Sequence, residues 1–193
     1  MSDTGWKNPS SAAESGESYV WANPTNIYTS NDTYSIVTIT GEADTDDLIA
    51  WNFGNSIPSG STINGVEVKV ELKSGGCDVN DVEAILFYND DPTIEGDDKA
   101  TQTAISTSEG TVTYGSSSDK WGLELTPAIV NLVIFGFSFV AGNATEGTSV
   151  SVDNIQIKVY YTDSETPTVG TKYALPAFSN VSGSGGGSAP IEP

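Results

Sequence analysis

The chain has 193 residues, 26 acidic against 7 basic side chains, no histidine and a formal net charge of −19. All seven basic residues are lysine, so the arginine forks that read guanine edges and phosphates are missing, and nucleic-acid and anionic-membrane partners are excluded. One cysteine, Cys77, rules out an intrachain disulfide, and the lack of histidine removes every Ser-His-Asp, Cys-His and Cys/His-zinc arrangement.

The N-terminal stretch, residues 1–17, is polar and turn-rich. It has no basic region followed by an apolar run, so no signal peptide is expected. Trp6-Lys7-Asn8-Pro9 is echoed at Trp21-Ala22-Asn23-Pro24, and Asn-Pro starts turns. Two copies do not make a repeat architecture. Short strands are expected at Tyr19–Trp21 and at Ile27-Tyr28, then a stronger one over Tyr34–Thr40. An acidic loop, 41–47, leads to a strand over Leu48–Phe53.

The clearest element follows the turn Pro58-Ser59-Gly60. Ile63, Val66, Val68, Val70 and Leu72 are apolar, and Glu67, Lys69 and Glu71 between them are charged. Period two of this kind predicts a strand with one face on a core and one in water. Further strands are predicted over Val82–Tyr88, Thr101–Ile105, Thr111–Tyr114 and Trp121–Leu125, with a second acidic loop at 89–99. Thr126-Pro127 reads as an N-cap with proline at the first helical position, opening one turn over Ala128–Leu132. Ala128–Ala141 is too short to span a membrane as a helix, and the alternation of Phe135, Phe137 and Phe139 with Gly136 and Ser138 predicts a buried strand. The last strand, over Ser149–Tyr161, changes parity between Val152 and Ile155, which predicts a bulge at Asp153-Asn154.

Short strands separated by Gly, Asn, Asp and Ser, with no long helix between them, predict an all-β antiparallel sandwich over residues 1–162, with jelly roll as the first choice. Residues 163–193 change character: prolines, then a Gly-Ser tract, read as an extended C-terminal arm. Tyr173, Leu175 and Phe178 are apolar anchors in that arm, and they are expected to pack on a neighbouring subunit of a homo-oligomer.

No catalytic set, cofactor loop or metal motif is found. Asp44, Asp46 and Asp47, or Asp90, Asp91, Asp97 and Asp98, offer hard oxygen ligands for calcium but lack EF-hand spacing. Loop acids at unknown separation do not make a glycosidase pair. Trp6, Trp21, Trp51 and Trp121 are expected to pack in the core; a sugar-stacking platform is their other reading.

Trp51-Asn52-Phe53-Gly54 followed by Ile57–Val66, then Trp121-Gly122, Leu125-Thr126-Pro127, Phe135-Gly136 and Val152–Tyr161, resemble patterns in structural proteins of tailed bacteriophages. The resemblance covers most of residues 6–161 and rests on turn and strand signatures. It implies a β-sandwich virion component, made in the host cytoplasm and without enzymatic activity. The reading it favours is a capsid decoration protein that bridges neighbouring shell subunits, with the major capsid protein as partner and a trimer as one expected state. The alternative is a tail or fibre component with a carbohydrate- or receptor-binding role.

Overall fold

A computed structural model describes residues 1–76, 79–88, 96–144 and 147–164. The strands are β1 (Ser2–Asp3), β2 (Ser11–Ser15), β3 (Ser35–Ile39), β4 (Asp47–Trp51), β5 (Thr62–Ser74), β6 (Asn80–Phe87), β7 (Gly110–Ser116), β8 (Gly136–Gly142) and β9 (Thr148–Thr162), with one short helix, α1 (Pro127–Val130). They form two antiparallel sheets. Sheet A runs β1-β9-β5-β7, with β3 also paired to β9; sheet B runs β2-β4-β8-β6. Each strand in chain order lies in the opposite sheet from the one before it. Residues 96–105 then line the free edge of β6 through Gly96 N–H to Leu86 O, Lys99 N–H to Ala84 O and Asp81 N–H to Thr103 O. The orders β3-β9-β5-β7 and β4-β8-β6-edge segment are those of a jelly roll.

The core is the layer between the sheets, filled by the inward faces of the long strands. Val66, Val68 and Val70 of β5 meet Val159, Ile157 and Ile155 of β9 in direct register, all fully buried. Against them from sheet B stand Leu48, Ala50, Leu86, Phe137 and Phe139. Ile63 lies on the opposite parity from Val66, yet both point inward. A register shift between Ile63 and Gly65 supplies the missing half-period, with Asn64 as the extra residue. The predicted bulge in β9 is present: Glu71 pairs with Asn154 and Leu72 with Val152, leaving Asp153 as the extra residue.

Four expectations are corrected. Tyr19–Trp21 and Ile27-Tyr28 are not strands: Ile27 closes a 3-10 turn, Pro24–Ile27, while Ala22 makes one isolated bridge to Ile36. Residues 101–105 run as an irregular edge, with a lone bridge from Ala104 to Asn80. Residues 121–125 are a turn-rich plug. Trp121 (φ 57°) and Gly122 (φ 70°) are left-handed, so the alternation there drops Trp121, Leu123 and Leu125 into the core without strand pairing. Finally, β1 and β2 fall inside the stretch read as turn-rich. Ser-Ala-Ala-Glu-Ser carries no apolar alternation, because β2 is an edge strand whose pairing to β4 comes from backbone hydrogen bonds.

The cap at α1 is as read. The Thr126 hydroxyl accepts the Ile129 N–H at 3.3 Å, and Pro127 holds the first helical position.

Candidate binding faces

The four tryptophans separate by face. Trp21 and Trp121 keep 1% and 0% exposure and belong to the core. Trp21 donates from Nε1 to Asp46 O at 2.7 Å, and Trp121 from Nε1 to Val66 O at 2.9 Å, so both indoles are satisfied inside the protein. Trp6 and Trp51 are half-buried and sit on the outer faces of opposite sheets.

On sheet A the Trp6-Lys7-Asn8 segment lies beside β9, because Lys7 exchanges backbone hydrogen bonds with Ile157. That pairing places Trp6 next to the outward side chain of Lys158, which stands opposite Glu67 on β5. The Lys158 and Lys69 ammoniums lie 4.4 and 4.8 Å from the Trp6 ring centre, within cation–π range. Lys158 pairs with Glu67 at 3.1 Å, and the Tyr160 hydroxyl donates to the same carboxylate at 2.7 Å. One row further, Gln156 donates to Asn8 Oδ1 at 2.9 Å. Burial pulls the Lys158 ammonium down, but Tyr160 and Glu67 outweigh it and hold its pKa above the usual lysine range. The result is two aromatic rings among donors and acceptors, with two ammoniums around one carboxylate although the whole chain is acidic.

On sheet B the outer face reads in rows. Trp51, Gly136 and Phe87 form one; Ala13, Ile49, Ser138 and Ile85 form the next. Beyond them Ser15 stands opposite Asp47, and Glu83 opposite Val140. Gly136 is required here, because a Cβ would collide with the Phe87 ring tip and come within 2.7 Å of Ala50 O. The Ser138 hydroxyl donates to Asp47 Oδ1 at 2.7 Å. Burial, then the charges of Asp47 and Asp98, push the Glu83 carboxyl above the ordinary glutamate range. A raised folded-state pKa means the fold takes up a proton as pH falls, so ionised Glu83 subtracts stability above that window. Glu83→Gln is therefore expected to raise the melting temperature at pH 7. The gain should vanish at pH 3, where the wild-type carboxyl is protonated in both states. Melts at the two pH values check this.

The acids considered for calcium have other work. Asp46 Oδ2 accepts the Ser18 N–H, Asp44 Oδ1 the Asn143 N–H, and Asp98 Oδ1 the N–H groups of Ala84 and Ala100. Asp97 pairs with Lys99. Asp90 and Asp91 lie outside the described residues, as do Cys77 and the arm residues Tyr173, Leu175 and Phe178. A different acidic group does converge: Asp32, Glu109 and Asp153 bring one carboxylate oxygen each within 4.8 Å of one another. Its carboxylates already accept hydrogen bonds, with one ammonium, Lys73, among them. Asp153 accepts the Asn31 and Thr33 N–H groups, and Glu109 takes the Tyr34 hydroxyl and the Lys73 ammonium.

Two surface cavities lie among the described residues. One, of about 390 Å³, is lined by Glu42, Ala43, Asp44, Asn143 and Ala144. The other, of about 200 Å³, lies beside Asp81 between β7 and residues 101–106, and is smaller than ligand clefts usually are.

No protein-family model matches the chain, and no curated protein matches it. Solved structures of similar outline include carbohydrate-binding modules. A structure described as "CBM4 structure and function" is 14% identical, covers 79% of this chain and 93% of its own, and has a TM-score of 0.44. The CBM22-1 xylan-binding domain of Paenibacillus barcinonensis Xyn10C is 9% identical over 82% and 88%, with a TM-score of 0.42. The family 11 module of Clostridium thermocellum, in complex with a β-1,3-1,4-mixed-linked tetrasaccharide, is 16% identical over 81% and 89%, with a TM-score of 0.38. Likeness at this level carries no argument about ligand.

Proposed function

We propose that the chain is a non-catalytic carbohydrate-binding module that takes a neutral glycan on the outer face of sheet A. The observation that carries this reading is the Trp6 platform. A sugar ring has an apolar C–H face and a rim of hydroxyls, so it needs a flat aromatic beside groups that both donate and accept. Trp6 and Tyr160 are the aromatics. Lys69 and Lys158 donate, Glu67 accepts, and Gln156 and Asn8 do both. Because Lys158 is paired to Glu67 and the chain carries −19 overall, an anionic glycan is disfavoured. Trp51 is the poorer candidate, since its neighbours Ile49, Ile85 and Phe87 offer no hydrogen bonds.

A glycan array followed by calorimetry tests this. Binding of a neutral oligosaccharide is expected, with Trp6→Ala weakening it at least about tenfold (~1.4 kcal/mol). Gln156→Ala should weaken it less, and Trp51→Ala not at all. An array without hits, or full affinity in the Trp6 variant, overturns the proposal.

The virion setting is a separate proposal, carried by the residue patterns at 51–66 and 152–161. A glycan-binding module suits a tail or fibre that must find a receptor. Antibody labelling of a tail would support that placement. Labelling of the shell would replace it with capsid decoration, and labelling of neither would remove the virion setting.

A further inference from the structure

We infer that the open edge of sheet A binds an extended peptide of a partner protein by strand addition to β7, with a lysine side chain of that peptide in the slot beside Asp81. The site is an edge and a slot rather than the Trp6 face, so it goes beyond the glycan reading and does not rest on it.

The register of sheet A leaves β7 half-used. The Val66 N–H donates to Asp119 O at 2.9 Å, and Val66 O accepts from Trp121 Nε1, so Val66 turns its backbone towards β7. Both backbone groups of an antiparallel strand residue point to one side, and the side alternates along the strand. Val68 and Val70 therefore face β7 as well, and their partners Tyr114 and Val112 face back. That leaves the N–H and C=O groups of Thr111 and Thr113 pointing away from β5, where they meet no partner among the described residues. Sheets ordinarily guard such an edge with charge or proline. β2, the outer strand of sheet B, carries Glu14, whereas β7 reads Gly-Thr-Val-Thr-Tyr-Gly-Ser and carries neither. An added strand pairs two of its residues with Thr111 and Thr113, and the residue between them points inward opposite Val112.

The slot, of about 200 Å³, lies there. It has room for a side chain, not for a whole ligand. Leu72, Ile105 and Val112 make its walls apolar. Val112 points inward with Tyr114 yet is only half-buried, because no further strand covers it. Asp81 also lines the slot, at 3% exposure. Its two oxygens accept the Thr101 and Thr103 N–H groups at 2.8 Å each, and no ammonium pairs with it among the described residues. Each oxygen can still take a second donor. Beside Asp81 the buried Tyr114 hydroxyl finds no hydrogen-bond partner among the described residues. Apolar walls that end on a buried carboxylate and an idle hydroxyl match lysine. The four-carbon stem lies along the walls, and the ammonium donates to Asp81 and to the Tyr114 oxygen. Charge selects the same partner: a chain of −19 attracts a basic peptide and repels a second copy of itself.

An NMR titration of the isotope-labelled full chain tests this, with the capped peptide Val-Thr-Lys-Thr-Val as probe. Two further peptides are compared. One has norleucine for lysine, which keeps the stem without the ammonium; the other is methylated at both threonine amide nitrogens, which removes the strand donors. The lysine peptide is expected to shift the amides of Thr101, Thr103 and Thr111–Thr113 saturably, and to bind at least about tenfold tighter than the norleucine peptide. The methylated peptide should not bind. Equal affinity for lysine and norleucine, undiminished binding of the methylated peptide, or no binding at all overturns the proposal. Asp81→Asn should abolish the lysine preference. Because that variant strips a buried backbone acceptor and can fail to fold, Tyr114→Phe is the second: it removes only a hydroxyl without a partner, and should cut the preference at least about threefold. A preference unchanged in Tyr114→Phe overturns the proposal. A dimer of the free chain in sedimentation that is lost in Thr113→Pro overturns it in favour of pairing between two copies.

Discussion

Replacing Gly115 with alanine is expected to lower the melting temperature by roughly 10 °C, from a stability loss of about 3–4 kcal/mol. Two costs add at this position. The backbone is left-handed, with φ +74°, and an alanine held there is strained by about 1–2 kcal/mol. The new methyl also falls on Val66 O and within 2.6 Å of Trp121 Nε1. Those two atoms share the hydrogen bond that satisfies the buried indole, at 2.9 Å. Trp121 cannot swing aside, since it is fully buried and packs edge-on against Phe137 with ring centres 6.2 Å apart. Displacing it leaves a buried donor and a buried acceptor unmet, at about 1–3 kcal/mol. Gly54→Ala is the control: its φ is +63°, but nothing lies within 4 Å of the added methyl, so only the backbone term should appear. Thermal melts of both variants decide the matter. Equal losses would mean that the Trp121 contact contributes nothing.

The same plug shows where the sequence was legible and where it was not. Period two in Val66–Leu72 and Ile155–Tyr161 revealed the two central strands, because charged residues on their outer faces made the alternation visible. The parity change at Asp153 located the bulge for the same reason. Trp121–Leu125 has the identical rhythm but no strand, since alternation reports which side chains are buried and not whether the backbone is paired. Leu48–Trp51 fails in the opposite way. All four residues are apolar, so no rhythm marks Ile49 and Trp51 as the outward pair, and the second apolar face went unseen. The Trp6 platform was half legible: the tryptophans were candidates, but only the Lys7–Ile157 bridge shows that Trp6 lands beside Lys158 and Lys69. Its tetrapeptide echo is used in a related way, with Ala22 bridging Ile36 at the other end of the same sheet.

Asp153→Ala is expected to cost about 2–4 kcal/mol, a melting-temperature drop of roughly 5–12 °C. The bulge in β9 turns this carboxylate into the molecule, where it keeps 1% exposure. One oxygen accepts the Asn31 N–H at 2.9 Å and the other the Thr33 N–H at 3.1 Å. Removing it strips two backbone donors of a charged acceptor and frees the loop that leads into β3. The next residue, Asn154, donates to Ile27 O at 2.9 Å, so the bulge anchors two points of the 27–33 segment at once. Loosening it should speed amide exchange at Asn31 and Thr33, while Val66–Val70 exchange only through global opening. Asp32→Asn separates this clamp from simple charge relief within the Asp32, Glu109 and Asp153 group. Asp32 is exposed, and asparagine tolerates its φ of 60°, so that variant should stay within about 0.5 kcal/mol of wild type. Stabilisation by both substitutions would show that repulsion among the three carboxylates, and not hydrogen bonding by Asp153, dominates this corner of the fold.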